Sequence, residues 1–395
     1  MANTLKFGGG TWATKEGSTL AYNDQNDRFK PLPFTTTRAS GATRVNKEGL
    51  IEVVGNDVPR IDYTDSADGV LLLEPQRTNY IYPSTNLADW ASFVSSGTVT
   101  RTNEYGLSPD GTNSATRIQM SGGNSIQWTY QNVSNSVTFV SFYAKSTSES
   151  EQYFRLFWNN GSDGSDLIAT NEWKRFEMAV SQSSTLPVGI ATHSNLSASD
   201  ILIWGFQGES GSYATSYIPT NGSTVTRQAD TASGSGNSEV FNDSEGVLMV
   251  EGALLSELIN DVRISISDGT SVENRISFRY LDNNELSIQA GFTNGFSETV
   301  TLNSIEDYNK IALVYNSLNA SIFVNGFEVA TNTMSALSGL SQLQFNRFGG
   351  FSNSFYGKTK EIGYYDTALT DEELEYITSY RSLNEMVTEL NLNEL

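Results

Sequence analysis

The sequence predicts an all-β protein, in which an extended N-terminal anchoring region precedes two antiparallel β-sandwiches of the jelly-roll type and a short C-terminal helix. Three observations support this prediction. Runs of β-branched and aromatic residues recur at strand length between turns rich in Gly, Asn and Ser. Charged residues make up only 17% of the chain, below the roughly 25% of an average soluble protein. The chain has 395 residues, more than the roughly 250–300 that one hydrophobic core accommodates, so several domains are expected.

Residues 1–80 form a turn-rich N-terminal zone with few apolar runs. Gly8-Gly9-Gly10 and Pro31-Leu32-Pro33 interrupt it, and only short strand-like pieces, such as residues 50–54 and 70–73, lie between the turns. Because this zone has too little apolar surface for its own core, it is predicted to be an arm or collar that packs on another surface. Its larger apolar side chains are the candidate contacts with that surface: Leu5, Phe7, Trp12, Phe29 and Phe34.

Residues 81–230 are predicted to form the first sandwich. The runs at 137–144 (VTFVSFYA) and 153–158 (YFRLFW) have the length and composition of strands, and similar runs follow at 173–180 and 201–206. Residues 231–238 (TASGSGNS) contain no apolar side chain larger than Ala. This segment is therefore predicted to be a Gly/Ser linker between two domains.

The second sandwich is predicted over residues 239–381. Apolar and polar side chains alternate in several runs there, which indicates strands with one buried face. Asn325-Gly326 is a strong signal for a two-residue hairpin. Thr370 and Glu373 have the spacing of a capping box, which predicts a short helix. Residues 382–395 form a C-terminal tail that is expected to fray.

The composition excludes several classes of function. With 24 basic and 45 acidic residues, the formal net charge is −21, which repels nucleic acid and anionic membranes, so neither is expected as a partner. No apolar run is long enough to insert in a membrane, and no secretory signal is expected at the N-terminus. The absence of cysteine removes disulfides, thiolate metal sites and cysteine nucleophiles.

The sequence does not predict an enzyme. His193 is the single histidine, so a Ser–His triad and a zinc site built from histidines have no support. Glycoside hydrolysis needs two carboxyl groups roughly 5–9.5 Å apart, and no predicted strand carries such a pair, although carboxylates from separate loops could converge. No cofactor is expected. Calcium is left open at Asp163 and Asp166, because Asp binds calcium but is also an ordinary turn residue.

Aromatic residues beside turns are the most informative candidates for a binding site. Exposed rings can stack on the apolar faces of sugars, while neighbouring Asn and Asp side chains bind hydroxyl groups. Core packing is the alternative for each ring, and Trp204, inside the run ILIWGF, is assigned to the core. The candidates for carbohydrate binding are Trp128 and Trp158 in the first sandwich, and Phe351, Phe355 and Tyr356 in the second.

Two parts of the chain resemble known families. PRIDY at residues 59–63, LLLEPQRTN at 71–79 and WGFQGESGSYATSYIPT at 204–220 resemble bacteriophage virion appendage proteins of the head-fibre, head-spike or tail type. In that family these blocks flank a jelly roll similar to a carbohydrate-binding module. Residues 239–380 resemble the concanavalin A-like and laminin-G-like lectins, through KIALVYN at 310–316, SIFVNGFEV at 321–329 and the segment 356–374.

The resemblance implies a structural component of a virion, a head fibre or capsid decoration protein that displays glycan-binding sandwiches to a host or mucosal surface. It implies attachment to other virion proteins through the N-terminal region, and a homo-oligomer, such as a trimer, by analogy. The implied location is the virion surface, reached after synthesis in the bacterial cytoplasm and release by lysis. The alternatives are a tail fibre or receptor-binding protein, a polysaccharide depolymerase, and a passive decoration protein without a ligand.

Overall fold

The computed structural model describes residues 4–15, 18–20, 32–121, 127–193, 198–256, 261–270, 274–291, 295–347 and 354–390. The predicted all-β class is confirmed, because antiparallel sheets contain most of the regular structure. None of the helices in these ranges is long and apolar enough to cross a membrane.

In the described ranges the strands of the N-terminal region are β1 (Leu5–Gly8), β2 (Ala13–Lys15), β3 (Ser18–Leu20), β4 (Phe34–Thr37), β5 (Ala42–Val45), β6 (Ile51–Val54), β7 (Ile61–Asp62), β8 (Val70–Leu73) and β9 (Arg77–Asn79). The next strands are β10 (Ala91–Val94), β11 (Thr98–Gly106), β12 (Ala115–Ser121), β13 (Gln127–Val133), β14 (Phe139–Ser146), β15 (Gln152–Trp158), β16 (Asp163–Ala169), β17 (Lys174–Ala179), β18 (Leu186–Thr192) and β19 (Ser199–Glu209). Short 3₁₀ helices lie at Leu87–Asp89 and Asn159–Gly161.

The remaining strands are β20 (Val225–Arg227), β21 (Thr231–Ser233), β22 (Glu245–Leu254), β23 (Val262–Ser267), β24 (Arg275–Tyr280), β25 (Glu285–Gly291), β26 (Phe296–Thr301), β27 (Asn309–Asn316), β28 (Asn319–Val324), β29 (Phe327–Thr333), β30 (Gln342–Gln344) and β31 (Gly357–Tyr365). The α-helices are α1 (Asp371–Thr378) and α2 (Leu383–Glu389).

The first sandwich consists of two five-stranded antiparallel sheets. One sheet has the strand order β10-β13-β18-β15-β16, and the other has the order β11-β12-β19-β14-β17. Their inner faces share one core, in which the ring centroid of Phe142 lies 6.2 Å from that of Phe154 and 4.8 Å from that of Phe206. The outer faces of the two sheets therefore lie on opposite sides of this sandwich.

The second sandwich combines strands from both ends of the chain. Its larger sheet has eight strands, in the order β29-β28-β27-β22-β31-β8-β7, with β1 also paired to β31. Its smaller sheet has the order β26-β25-β24-β23-β30. The register pairs Leu5 with Tyr364 and Leu72 with Lys358. Strands from the N-terminal region therefore complete a sheet whose other members follow residue 244.

This arrangement corrects the predicted attachment surface. The sequence indicated that residues 1–80 need a surface to pack on, and the structure provides that surface within the same chain. Leu5, Phe7 and Phe34 are buried in the core of the second sandwich, so these side chains are not available to a virion partner. Trp12 is half-buried against the same core, and its Nε1 donates a hydrogen bond to the Gly69 carbonyl at 2.9 Å. Phe29 lies outside the described residues.

The segment predicted to be a linker is a packed structural element. Strand β21 pairs with β4, and Ser235 exchanges backbone hydrogen bonds with Leu343 of β30. Ala232 and Ser235 are buried. The small side chains of this segment let its backbone approach β30 closely, and the same composition is typical of flexible linkers. Composition alone could not distinguish the two cases.

A buried set of charges joins the N-terminal region to the first sandwich. We call it the arginine–carboxylate cluster, and its members are Arg38, Arg60, Glu74, Arg227 and Asp230, all almost inaccessible to solvent. Glu74 accepts hydrogen bonds from Arg60 and Arg227, at 2.6 Å in each case. Asp230 accepts one from Arg38 at 2.8 Å and another from Arg60. The cluster thus ties together residues that are up to 192 positions apart in sequence.

Within the cluster, Glu74 stays ionised because it faces two arginines. Burial alone would raise the pKa of Glu74, but the fields of Arg227 and Arg60 outweigh burial and hold that pKa well below its ordinary value. Removing one partner of a buried pair leaves the other charge uncompensated in a medium of low dielectric constant. Losing any one member of the cluster should therefore destabilise the fold strongly.

Helix α1 begins with the predicted capping box. Thr370 Oγ1 accepts a hydrogen bond from the Glu373 backbone N–H at 3.3 Å, and Glu373 accepts one from the Thr370 backbone N–H at 2.9 Å. Its Leu374 side chain is buried against the outer face of the larger sheet.

Part of the tail that the sequence predicted to fray forms helix α2. Ser382 caps the helix, and Glu385 forms an ion pair with Lys310 at 2.6 Å. Glu389 forms a second ion pair with Lys360. Both lysines belong to the larger sheet of the second sandwich, so the helix is held by contacts that its local sequence does not reveal.

Between these two lysines lies a buried carboxyl group, that of Glu251. It is 3.9 Å from Lys310 and 4.0 Å from Lys360, measured between side-chain N and O atoms. Burial, the largest influence, outweighs the attraction of both cations and raises the pKa of Glu251 to about 7. Glu389 and Glu361 act in the same direction.

Asp230→Asn should lower the free energy of unfolding by roughly 3–5 kcal/mol, because it leaves Arg38 and Arg60 buried without this counter-charge. Urea denaturation followed by tryptophan fluorescence measures the change. The control is Glu52→Gln, which removes the partly exposed ion pair with Arg44 and should cost less than about 1 kcal/mol. Equal losses in the two variants would contradict the role given to the cluster.

Glu251→Gln should change how stability depends on pH. Because the pKa of Glu251 is about 7 when folded against 4.5 ordinarily, the folded state binds more protons between these values. The contribution of Glu251 to stability is therefore complete below about pH 4.5 and is lost as the pH rises through about 7. The unfolding free energy of the wild type minus that of the variant should fall by about 3 kcal/mol across this window. Urea denaturation at a series of pH values measures it, and a difference independent of pH would contradict the assignment.

Candidate functional site

The outer face of the sheet β10-β13-β18-β15-β16 carries a group of aromatic rings. We call it the aromatic face, and its rings are those of Phe93, Trp128, Tyr130 and Phe157. The centroid of the Trp128 ring lies 4.6 Å from that of Phe157, 5.4 Å from that of Phe93 and 6.5 Å from that of Tyr130. Phe157 is buried, Trp128 is half-buried, and Phe93 is 50% exposed. Trp128 is thus held in place by its neighbours while part of its surface stays accessible.

The period of two in the strands produces this face. Successive side chains of a strand point to opposite sides of the sheet, and alternate residues of β13, β15 and β18 are buried in the core of the first sandwich. The residues between them point outward: Trp128 and Tyr130 on β13, Arg155 and Phe157 on β15, and Gly189 and Ala191 on β18.

The central strand contributes only small side chains to this face. Gly189 and Ala191 of β18 are each paired with an aromatic residue of β13 on one side and with a longer side chain of β15 on the other. Gly189 and Ala191 are nevertheless buried, because the Trp128 and Phe157 rings, from the strands on either side, meet above β18. A Cβ atom at Gly189 would lie 2.0 Å from the Thr129 carbonyl oxygen, so this position accepts no side chain without a backbone shift.

Strands β15 and β16, on the other side of β18 from Trp128, carry charged and polar groups on the same face. Trp128, Ala191, Arg155 and Asp166 follow one another across four neighbouring strands. The strands that carry Trp128 and Arg155 are two positions apart in the sheet, a separation of roughly 10 Å. Arg155 pairs with Asp166 at 3.2 Å, and Asp166 lies 3.6 Å from His193 Nε2. The Tyr153 ring stands edge-on to His193, with centroids 5.8 Å apart. Aromatic surface and hydrogen-bonding groups thus lie on the same face of the sheet.

The structure places the two predicted tryptophans on opposite sides of the same sheet. Trp128 lies on the aromatic face. Trp158 is half-buried and packs against the core of the first sandwich, so the two rings do not share one binding surface. In the run YFRLFW, Trp158 has the same parity as the core residues Phe154 and Leu156, whereas Phe157 has the opposite parity. Applying the period of two to this run would have selected Phe157, which the sequence reasoning missed.

Of the aromatic candidates of the second sandwich, the structure describes Phe355 and Tyr356. Phe355 is buried, with its ring 5.4 Å from that of Tyr280 and 5.7 Å from that of Phe345. Its assignment to carbohydrate binding is therefore corrected. Tyr356 is half-buried, and Phe351 lies outside the described residues. The segment GGFSNSFYG has no regular alternation, so its pattern did not reveal which ring is buried.

The two aspartates considered for calcium are not brought together. Asp163 and Asp166 are three positions apart on β16, an odd spacing that places their side chains on opposite faces of the sheet. Asp163 accepts a hydrogen bond from Asn159 at 2.9 Å, and Asp166 pairs with Arg155. Across the described residues, no group of three or more His, Cys, Asp or Glu side chains could hold a metal ion.

The second sandwich has a recognisable family relationship. Residues 256–375 match the model of the concanavalin A-like lectin/glucanases superfamily. The match lies within the predicted second sandwich and does not extend to the first. No curated protein matches the chain.

Solved structures similar to parts of this chain include carbohydrate-binding modules and laminin domains. The CBM40 of the Ruminococcus gnavus IT-sialidase, bound to alpha2,3 sialyllactose, is 20% identical with a TM-score of 0.31, over 37% of this chain and 94% of that chain. Domain 4 of AbnA, a GH43 extracellular arabinanase from Geobacillus stearothermophilus in complex with arabinotriose, is 12% identical with a TM-score of 0.32, over 43% and 82%. Domains LG4-5 of the mouse laminin alpha1 chain are 10% identical with a TM-score of 0.26, over 75% and 95%.

Proposed function

We propose that this chain is a structural component of a bacteriophage virion, a head fibre or capsid decoration protein, whose first sandwich binds glycans on the aromatic face. The observation that carries the glycan part is the composition of that face, on which the half-buried Trp128 and the half-exposed Phe93 lie on the same side of the sheet as the Arg155–Asp166 pair. The match of the second sandwich to a lectin superfamily supports the same class of function.

The aromatic face has the two kinds of contact that a sugar ring requires. One face of a pyranose is apolar and packs on an indole ring, while its hydroxyl groups need donors and acceptors at the rim. Trp128 supplies the ring. Arg155 supplies N–H donors, and Asp166 supplies a carboxylate acceptor. Because the ion pair fixes both polar groups before binding, less conformational entropy is lost when a ligand arrives.

We propose binding without catalysis. Hydrolysis of a glycosidic bond needs a carboxylic acid that donates a proton to the leaving oxygen. Asp166 is engaged by Arg155 and His193 on the same face, and this pairing positions its oxygens to accept hydrogen bonds from hydroxyl groups. A depolymerase would require a different site.

The virion part of the proposal is supported by the sequence blocks that resemble phage appendage proteins. PRIDY supplies Arg60, and LLLEPQRTN supplies Glu74, so both blocks build the arginine–carboxylate cluster. We propose that the N-terminal region still contacts other virion proteins, through side chains other than the buried Leu5, Phe7 and Phe34. A trimer on the virion surface, released by lysis, would display many copies, so weak binding at each site would suffice.

Phe93→Ala should weaken glycan binding about tenfold, because it removes a half-exposed ring beside Trp128 from a hot spot of aromatic contacts. A glycan array selects the ligand, and isothermal titration calorimetry measures its affinity for the intact chain. The control is Tyr376→Ala, which removes a ring that is 66% exposed on α1. This helix packs on the second sandwich and not on the first. A wild-type chain without glycan preference would favour the passive decoration protein.

The chain should co-sediment with DNA-containing particles in lysates of the bacterium that carries its gene. Density-gradient fractionation followed by immunogold labelling should place it on the particle surface, on the head if it is a decoration protein and on the tail if it is a receptor-binding protein. Recovery only in the soluble fraction would refute the virion assignment and leave the glycan proposal to be judged by the binding data.

A further inference from the structure

A cavity of about 880 Å³ lies between the two sandwiches, and the proposed function does not use it. We call it the cleft. It is lined by the outer face of the second sheet of the first sandwich, by the N-terminal residues 43–45, 49–51 and 62–65, and by residues 253–255, 306, 308 and 358 of the second sandwich. Its volume lies within the range of roughly 300–1,000 Å³ that is typical of ligand sites, which occur preferentially between domains.

The wall from the first sandwich carries rings next to an ion pair. Tyr143 and Trp173 are both half-buried and line the cleft. Arg175 lies over the Tyr143 ring, 5.7 Å from its centroid, and pairs with Glu177 at 3.1 Å. Arg175 also donates to Ser141 Oγ at 3.0 Å. The Glu177 side chain is 43% exposed, so its carboxylate is accessible from the cleft.

The other wall repeats this combination with different residues. Asp65 pairs with Lys358 at 2.5 Å and accepts a hydrogen bond from the Tyr308 hydroxyl at 3.0 Å. Tyr63 adds a second, half-buried ring. The Asp65 and Lys358 side chains remain 30% and 27% exposed. Each wall therefore offers an aromatic surface, a carboxylate acceptor and a cationic donor.

The charges of the cleft select among ligands. Each cation named on the walls is already paired with a carboxylate of its own wall, so neither wall presents an uncompensated positive charge. Asp62 and Glu306 add two further acidic side chains to the lining. An anionic ligand would therefore be repelled, whereas hydroxyl groups can donate to the carboxylates and accept from Arg175 and Lys358.

We infer that the cleft is a second ligand site, which binds a neutral oligosaccharide between the two sandwiches. It is separate from the aromatic face, because the two sites lie on opposite sheets of the first sandwich. The back of the cleft is preformed: Glu74 of the arginine–carboxylate cluster lines it and holds Ser216, another lining residue, at 2.7 Å. Recognition here combines stacking on rings with bonds from paired charges to hydroxyl groups.

The test uses the intact chain and calorimetric titration with a panel of hexasaccharides: the neutral gluco-, manno-, xylo- and arabino-oligomers, and hexagalacturonate as the anionic probe. The variants are Trp173→Ala and Glu177→Gln in the cleft and Phe93→Ala on the aromatic face, which identifies any binding there. Tyr376→Ala, which removes an exposed ring on α1, is the control. We expect a neutral hexasaccharide to bind the wild type, with at least about tenfold weaker binding in both cleft variants and unchanged binding in the control. Hexagalacturonate should not compete for this site.

Three results would overturn the inference. They are the absence of binding by every neutral probe, wild-type affinity in Glu177→Gln, and competition by hexagalacturonate. If only Phe93→Ala weakened the neutral probe, the ligand would belong to the aromatic face, so the cleft would be refuted while the proposed function stood. If Trp173→Ala did not fold, Glu177→Gln would decide alone, because Arg175 keeps its bonds to Ser141 and Thr215 in that variant.

Discussion

The buried pairing of three arginines with two carboxylates is the constraint on which the arrangement of this chain depends. Glu74 is shared by Arg60 and Arg227, and Asp230 is shared by Arg38 and Arg60. With more guanidinium groups than carboxylates, several of the remaining N–H donors bond to backbone carbonyls, such as that of Gly55 at 2.6 Å. These bonds have direction as well as strength, so they fix how the N-terminal hairpin of β5 and β6, β8 and β20 meet.

The region around Glu74 also brings the two ends of the chain together in one sheet. Strand β8 ends next to Glu74, and β8 and β1 both pair with β31, which lies near the other end of the chain. The short N-terminal strands could not form a stable unit alone, because each has only two to four residues in the larger sheet. They become stable as additions to an edge that also needs covering. The cluster and this sheet therefore stabilise each other.

Local patterns in the sequence predicted individual strands and helices well, but they did not predict which strands pair with each other. Alternation identified strands such as β23 and β27, and the capping box located the start of α1. Alternation states which face of a strand is buried but not which strand lies beside it. The pairing of β1 with β31 was therefore invisible, and residues 1–80 were interpreted as an arm.

The candidate site was predictable to the same extent. Trp128 and Trp158 were both chosen as rings beside turns, and the parity within β15 that places Trp158 on the other side of the sheet was not applied. The position of the Arg155–Asp166 pair relative to Trp128 depends on the register among four strands. No local pattern contains that information. Buried charges such as Arg60 and Glu74 read as surface residues in a sequence, because their partners are more than a dozen positions away.

The two outer faces of the first sandwich have different surroundings for one reason. The N-terminal hairpin, held by the arginine–carboxylate cluster, packs Ile51 beside Trp204 and Tyr217 on the sheet that contains β14 and β19. That sheet is therefore partly enclosed and forms a wall of the cleft. The opposite sheet leaves Trp128 half-buried and Phe93 half-exposed. An exposed face suits rapid, weak contacts that gain strength from many copies, whereas an enclosed cleft suits a ligand that is held on both sides. One buried set of charges thus determines that a symmetric architecture carries two unlike surfaces.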